Sequence, residues 1–326
     1  MRTKDQILLL LEKNRGFYIS GEKFAQELGI SRTAVWKAVR KLRRDGYDIR
    51  AVTNRGYCLS KESDLLSVVS INSHLNEYCG DLRLEVFREI DSTNRVCLDK
   101  ASQGESEGYV AVAGKQTAGR GRRGRNFYSP SDTGISMSIL LRPVRYLGSE
   151  ALKLTTMAAA AVSDALEYVS EKKTEIKWVN DILIDGKKVS GILCEALPAA
   201  DSSDPGAVVV CIGINAYPPE GGFPEEIAET AGSVFDKPGH VRRSRIAAEV
   251  LNRFMRYYKS EPSDEYFKVY KKRSMVIDKD VEIIAPGLIR RAHVTGLNDD
   301  CSLSVRYEDG STGIINSGEV SILPAK

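Results

Sequence analysis

The sequence predicts an α+β protein in three parts: an N-terminal winged helix-turn-helix over residues 1–63, a central mixed, largely antiparallel sheet with helices over 68–272, and a small β-barrel over 273–326. Three observations predict it. Apolar residues recur at helical spacing near the N-terminus, with a glycine-centred break between the second and third helical stretches. The middle of the chain alternates long helical stretches with short β-prone runs. From Ser274 onward the helical texture gives way to short strands joined by Asn/Asp/Gly turns.

In the first part, Ile7, Leu8, Leu10 and Leu11 form the apolar face of one helix. Ser20 is placed to cap a second, which buries Phe24 and Leu28, with Lys23 where a capping-box glutamate would sit. Gly29 breaks the chain, and Ser31 caps a third helix with the stripe Val35, Ala38, Val39 and Leu42. Its other side carries Arg32, Lys37, Arg40, Lys41, Arg43 and Arg44. Asp48 to Val52, the turn Thr53 to Gly56, and Tyr57 to Leu59 read as a hairpin with Arg55 at its tip. A third helix in the major groove and a wing arginine on the backbone or in the minor groove follow from that geometry, and the alternative is a basic module that docks protein.

Lys61 to Ser70 is polar and weakly periodic, and reads as the linker. Leu84 to Ile90 alternates as a strand that ends in Asp91-Ser92-Thr93-Asn94 before a helix containing Val96 and Leu98. Those side chains suit either capping or a polar ligand, capping being the commoner use. Tyr109 to Ala113 and Gly134 to Leu141 are strands, and Leu154 to Val169 is an alanine-rich helix able to pack closely on a sheet. Ile176 to Val179, Ile182 to Ile184, Val189 to Leu197 and Ala207 to Ile214 follow as strands, with Asp201 to Gly206 as a hairpin tip between the last two. Arg245 to Tyr258 is amphipathic. Val281 to Ile283, Ala292 to Thr295, Leu303 to Tyr307 and Thr312 to Ile315 are the strands of the final part.

Composition excludes several classes. An apolar share of 42% with 28% charged residues is that of an ordinary globular chain. Six cysteines and three histidines are dispersed without metal-ligand spacing, so reduced thiols and no metal centre are expected, with a catalytic cysteine as the lesser alternative. The lack of a signal region or a long apolar run places the protein in the cytoplasm, away from membranes. The net charge of +3 hides an asymmetry: residues 1–60 hold thirteen Lys/Arg against six Asp/Glu, and the remaining 34 basic and 38 acidic residues leave the rest at −4. Only the first part is basic enough to suggest nucleic acid.

Gln116 to Arg125 packs four arginines and three glycines into ten positions between two strands. Glycines let backbone approach a ligand, and guanidinium forks match carboxylate and phosphate oxygens. An anion pocket is one reading, and a solvated basic loop or nucleic-acid patch is the other. Lys177-Trp178-Val179-Asn180-Asp181 ends a strand, Lys187-Lys188-Val189-Ser190-Gly191-Ile192-Leu193 returns beside it after a tight turn, and Gly213-Ile214-Asn215 ends another. The turn brings Lys188 near Asp181. Singly, each such polar residue is an ordinary rim residue.

Taken in order, Ser92-Thr93-Asn94, Gly-Arg-Gly-Arg-Arg-Gly, Lys-Trp-x-Asn-Asp, Lys-x-x-Gly-Ile-Leu and Gly-Ile-Asn resemble biotin protein ligase, and with the winged helix ahead of them the full length resembles its bifunctional form, which is also the biotin operon repressor. The resemblance implies an SH3-like final barrel. It implies that Ser92, Thr93, Asn94 and Gln116 hold the biotin ring, that Arg120, Gly121 and Arg122 close over biotin and phosphates, and that Lys188 meets the biotin carboxylate. Gly119, Arg123, Arg125, Phe127, Asn180 and Asn215 join Arg120 and Arg122 around the adenylate, and Asp181, Lys188 and Arg122 are the catalytic candidates. Gly21, Ser31, Arg32, Thr33, Trp36, Lys37, Arg40 and Arg55 are the DNA-contact candidates. Val179 stands where the family commonly has Pro, and Phe127 where it often has Trp.

The implied activity is that of a biotin–[acetyl-CoA-carboxylase] ligase using ATP and Mg²⁺: biotin's carboxylate is adenylated, then transferred to a lysine of a biotin carboxyl carrier domain. Operator DNA and an adenylate-driven homodimer are the further partners implied. A transcription factor that senses biotin without ligating it is the rival, and the phosphate-suited arginines and Lys188 oppose it. A lipoate ligase on the same scaffold is the nearer rival, opposed by the winged helix and the form of the arginine loop.

Overall fold

A computed structural model describes residues 2–143, 151–197, 206–239, 242–260, 264–285 and 288–323. The expected hairpin tip at Asp201 to Gly206 lies almost wholly outside them. The winged part comprises α1 (Thr3–Lys13), α2 (Gly21–Leu28), α3 (Arg32–Arg44), β1 (Ile49–Val52) and β2 (Gly56–Leu59). Both expected caps form: Ser20 Oγ accepts from Lys23 N and Ser31 Oγ from Ala34 N, each at 3.1 Å, and Gly29 closes α2 in the left-handed region. Gly56, at φ +97°, begins β2 where a Cβ would lie 2.0 Å from the Ile19 carbonyl, so only glycine lets the wing dock on the backbone before α2. This part has its own core, built on Ile7, Leu11, Phe24, Val35 and Leu42.

The expected linker is more ordered than its composition suggests. Residues Val68–Asn72 form α4, and Ser63 and Asp64 are buried. Arg15 donates to the carbonyls of Ser60 and Ser63, fixing the linker on α1. Asp64 accepts from the backbone N and guanidinium of Arg243 and from the Tyr217 hydroxyl, and its carbonyl accepts a further bond from Arg243. Arg243 also lies 3.6 Å from Asp132. A cleft of about 720 Å³, lined in part by Leu8, Tyr47, Val86 and Arg88, separates the winged part from the central sheet.

The central sheet contains β3 (Arg83–Phe87), β4 (Tyr109–Ala113), β5 (Gly134–Leu141), β6 (Glu175–Lys177), β7 (Asp181–Ile184), β8 (Lys187–Leu197) and β9 (Ala207–Asn215) in the order 3-4-5-9-8-7-6. Only β3 with β4 is parallel among these pairs. Helix α5 (Thr93–Ser102) covers one face; α6 (Ala151–Ser170) and α8 (Arg242–Lys259) cover the other, with α9 (Glu265–Arg273) against α6 and the edge strand β6, while the short α7 (Glu225–Ala228) follows β9. Along β4, Val110 and Val112 join the α6 side while Tyr109 and Ala111 join the α5 side, the two-residue alternation of a sheet buried on both faces.

The final part is a five-stranded antiparallel sheet in the order 13-12-11-10-14: β10 (Asp280–Ala285), β11 (Leu288–Leu297), β12 (Leu303–Tyr307), β13 (Thr312–Ile315) and β14 (Glu319–Ile322). The fifth strand was not expected from the sequence, and no bonds join the outer strands β13 and β14 among the described residues. Val281, Val294, Cys301 and Val305 belong to the same core as Leu154, Trp178 and Tyr270 of the central part. Trp178 Nε1 donates to the Cys301 carbonyl at 3.0 Å across that boundary. No described helix is long and apolar enough to cross a membrane.

Candidate active site

A cavity of about 490 Å³ opens on the α5 face of the sheet, within the usual size of a small-molecule site. Ser92, Thr93, Asn94, Gln116, Arg120, Gly121, Arg122, Arg125, Phe127, Asn180, Asp181 and Lys188 all line it. Gly119, Arg123 and Asn215 do not. Gly119 passes under Phe127, where a Cβ would meet the Phe127 carbonyl at 2.5 Å; Arg123 lies 3.9 Å from Glu319; and Asn215 donates to the Gly232 carbonyl.

One end is neutral. Ser92 stands at the N-cap of α5 but makes no capping bond, and its buried hydroxyl has no partner among the described residues, so the commoner capping use fails here. Thr93 N and Oγ1 both donate to Gln116 Oε1, and Thr93 Oγ1 bonds Ser138 Oγ at 2.8 Å. Asn94 Nδ2 bonds Glu195 and Cys211, while its buried Oδ1 is unpartnered. Burial pushes the Cys194 thiol up to about 11 and that of Cys211 higher still, so neither is a ready thiolate nucleophile.

The other end is charged, and a β-bulge builds it. Asp181 pairs with Gly191 and Ile182 with Ser190, but Leu183 then pairs with Lys188, leaving Val189 as the extra residue. That slip changes the parity of β8, so Lys188 comes out on the face of Asp181 and Gly191 and its Nζ reaches Asp181 Oδ1 at 2.7 Å. Gly191 leaves the space: a Cβ there would meet Lys188 Cε at 3.1 Å. Lys188 N donates to the Thr230 carbonyl, and Gly232 N to the Lys188 carbonyl, which fixes the backbone from the other side. Asn180 donates to the Ile192 carbonyl and accepts from Arg122 Nη1 at 2.8 Å, holding one arginine across the cavity.

Between the two ends, Phe127 lies on Gly213, where a Cβ would sit 2.5 Å from the ring. Gly191, Gly213 and Ser136 form one row across β8, β9 and β5. The arginine loop folds on itself, with bonds between Gly121 and Arg125 and between Phe127 and Gly119, and Arg123 at its tip is left-handed. From β14, Glu319 accepts from Arg125 at 2.9 Å and brings the final sheet to the cavity mouth. Glu319, Ile227, Thr230, Ser136 and Cys211 line the cavity without having been singled out from the sequence. Nothing in their local spacing marks them, since only the folded register brings them there.

Among the described residues no three His, Cys, Asp or Glu gather to hold a metal. Arg120, Arg122, Arg125, Lys177 and Lys188 face two carboxylates, Asp181 and Glu319. The excess of cations suits phosphate and carboxylate oxygens.

On the winged part, α3 exposes Arg32, Thr33, Trp36, Lys37 and Arg40, with the Arg40 guanidinium 5.4 Å from the Trp36 ring centroid. Arg55 is exposed at the wing tip and stacks 4.6 Å over Tyr18. The hydroxyl of Ser31 is used in capping, and Gly21 starts α2.

Fold and site together define a mixed-sheet ligand-binding domain that joins a neutral polar recess to an anion-binding end and carries a DNA-binding type of module. The sequence profile of the biotin/lipoate A/B protein ligase family matches residues 86–215, and that of a helix-turn-helix domain matches 3–58. The chain is 37% identical over 257 residues to the bifunctional ligase/repressor BirA of Bacillus subtilis, covering 78% of each, and 30% identical over 254 residues to the biotin–[acetyl-CoA-carboxylase] ligase of Mycobacterium tuberculosis, covering 74% of this chain and 89% of that one. The solved biotin protein ligase of Aquifex aeolicus in complex with biotin and ATP superposes with a TM-score of 0.62 at 28% identity, over 74% of this chain and 99% of its own. The chain belongs to the biotin protein ligase family, in the form that carries a helix-turn-helix ahead of the ligase domain.

Proposed function

We propose that the protein is an ATP-dependent biotin–[acetyl-CoA-carboxylase] ligase that forms biotinyl-5′-adenylate, transfers biotin to a carrier lysine, and represses biotin-gene transcription as an adenylate-bound dimer. The observation that carries the ligase reading is the polarity of one cavity. Unpartnered Ser92 and Asn94 atoms lie at the Cys211 level, and Lys188, Asp181 and Arg122 lie at and beyond the Gly191 row. Cys211 pairs with Leu193, two strand positions or roughly 7 Å along β8 from Gly191, the scale of the short aliphatic chain that joins a bicyclic head to a carboxylate.

In the first half-reaction a biotin carboxylate oxygen bonds the α-phosphorus of ATP and the bond to pyrophosphate breaks. Lys188 and Arg122 bring the two anions together and offset the charge that leaves. Mg²⁺ bound with the nucleotide would supply further phosphate neutralisation and would need few protein ligands, with Asp181 and Asn180 as oxygen ligands lining the charged end. In the second, a carrier amine that has lost its proton attacks the acyl carbon and AMP departs. Asp181 orients that amine, and Lys188, held at 2.7 Å from it, meets the developing oxyanion. The roles of Ser92, Thr93, Asn94, Gln116 and Arg120 at biotin, and of Arg125 and Phe127 at the adenylate, are part of this reading.

We further infer that residues 1–63 bind operator DNA through α3 and Arg55, and that two copies joined on adenylate binding supply the affinity one winged domain lacks. The parts 1–63, 68–272 and 273–326 are read as the corresponding units.

The test is pyrophosphate exchange and transfer of labelled biotin to a carrier domain in the presence of Mg-ATP. Absence of both, in folded protein that binds biotin, refutes the enzyme. Lys188→Ala is expected to depress the exchange, and Arg122→Ala to let biotinyl-adenylate escape faster.

A further inference from the structure

An asparagine amide can present either its oxygen or its nitrogen to a ligand unless its neighbours settle the choice. Around Asn94 they settle it. Nδ2 lies 2.5 Å from Glu195 Oε2 and 2.8 Å from Cys211 Sγ. An ionised carboxylate only accepts, so a turned amide would set oxygen against oxygen. With both amide hydrogens engaged, Oδ1 is left as a buried acceptor with no partner among the described residues. Gln116 is held the opposite way: Thr93 N and Oγ1 donate to its Oε1, so its Nε2 remains to donate.

We propose that Glu195, which does not line the cavity, is a positioning residue that fixes Asn94 as an acceptor and thereby makes the neutral end selective for a ring N–H donor. The inference rests on the ligase reading above and deepens it. A cyclic urea has an N–H to give Asn94 and a carbonyl to receive from Gln116. A dithiolane head, the other substrate class in the family's name, offers neither and leaves two buried polar groups unpaired, the kind of mismatch that sites reject most strongly. The arrangement therefore chooses between the two chemistries through a residue that touches neither.

The experiment uses the full chain, with calorimetric binding of biotin alone and steady-state pyrophosphate exchange. In Glu195→Gln the new amide can present an oxygen or an NH2, so Asn94 is free to turn. KM and Kd for biotin are expected to rise by roughly 10-fold or more, the loss of one well-placed hydrogen bond, with kcat and the KM for ATP within about twofold of the parent. Two cyclic-carbamate analogues, each with one ring N–H replaced by oxygen, identify the contact: against one of them Glu195→Gln is expected to cause no further loss. The exchanged pair Asn94→Asp with Glu195→Gln restores a donor on strand β8 and an acceptor toward the cavity, and is expected to bind biotin better than Asn94→Asp alone.

Parental biotin KM in Glu195→Gln overturns the proposal. So do equal losses with both analogues, or an exchanged pair that folds yet gains nothing. If Glu195→Gln fails to fold, the comparison of the exchanged pair with Asn94→Asp decides. A parent that neither binds biotin nor exchanges pyrophosphate defeats the ligase reading instead, a result distinct from an active parent indifferent to Glu195.

Discussion

The two small units at the ends of the chain are attached to the central sheet in different ways. The winged part closes a core of its own and meets the rest through a polar clasp, Asp64 with Arg243 and Tyr217, beside an open cleft. The final sheet has no separate core: Val281, Cys301 and Val305 pack in one cluster with Trp178 and Tyr270. The first arrangement lets a unit be removed or moved as a body. In the second, the final sheet is part of what makes the ligand domain fold.

The sharpest way to break this comparison is to cut at each end. Removing 274–326 is expected to abolish the cooperative thermal transition and pyrophosphate exchange together, since it uncovers one side of a shared core and a domain has only about 5–15 kcal/mol to lose. Removing 1–63 is expected to leave exchange within about twofold and the central melt nearly unchanged, while operator binding in a gel shift disappears. A soluble, active chain without 274–326 would end the distinction.

Moving the N-terminal cut by two residues sharpens it. A chain lacking 1–65 also loses Asp64 and leaves Arg243 as a buried charge facing only the more exposed Asp132. Compared with the chain lacking 1–63, it is expected to be less stable by about 3–5 kcal/mol in urea unfolding. Equal stability would show that the clasp contributes nothing.

A smaller effect, confined to the central part, concerns acid. Asp164 on α6 is desolvated, which alone would raise its pKa, but bonds to Arg253 and Arg273 outweigh burial and hold it below the ordinary carboxylate range. Glu167 is lowered in the same sense, burial opposing the bonds from Thr174 N and Arg273. A depressed folded pKa stabilises above the unfolded value, near 4, and that contribution is lost as pH falls through the folded one. Asp164→Asn is therefore expected to flatten the acid limb of stability below about pH 4 and to cost about 2 kcal/mol at neutral pH, measured on the chain lacking 1–63 as well as the full length.

The mildest change is at the DNA surface. Arg55→Ala or Arg40→Ala removes an exposed group with no core role, so operator affinity should fall several-fold and its logarithmic salt slope by about one. Melting temperature and ligation should not move.

The same contrast governs what was legible beforehand. The winged part could be read residue by residue, because caps at Ser20 and Ser31, a left-handed Gly29 and a one-sided row of arginines are all local signals. The active site could be read only as an order of motifs resembling a family, since Asn94 meets Cys211 and Glu195 across more than a hundred residues. Asp64 was hidden for the same reason: a polar stretch reads as a linker until its partner, 179 positions away, is known. Arg123 and Asn215 sat inside the right motifs, yet backbone direction turned them to Glu319 and Gly232 instead of the cavity.

The bulge at Val189 works as an odd count inserted into an even code. Strand positions repeat every two residues, so one surplus residue exchanges inward for outward for everything on its far side. In a regular strand Lys188, three residues from Gly191, would stand on the surface of the sheet opposite Asp181, and the surplus residue is what returns it to the same one. Smoothing the bulge by letting Val189 take the place opposite Leu183 would leave every letter of the motif intact and turn the ammonium of Lys188 away from the cavity. For chains of this kind one unpaired residue in the ladder carries as much chemical information as the letters themselves.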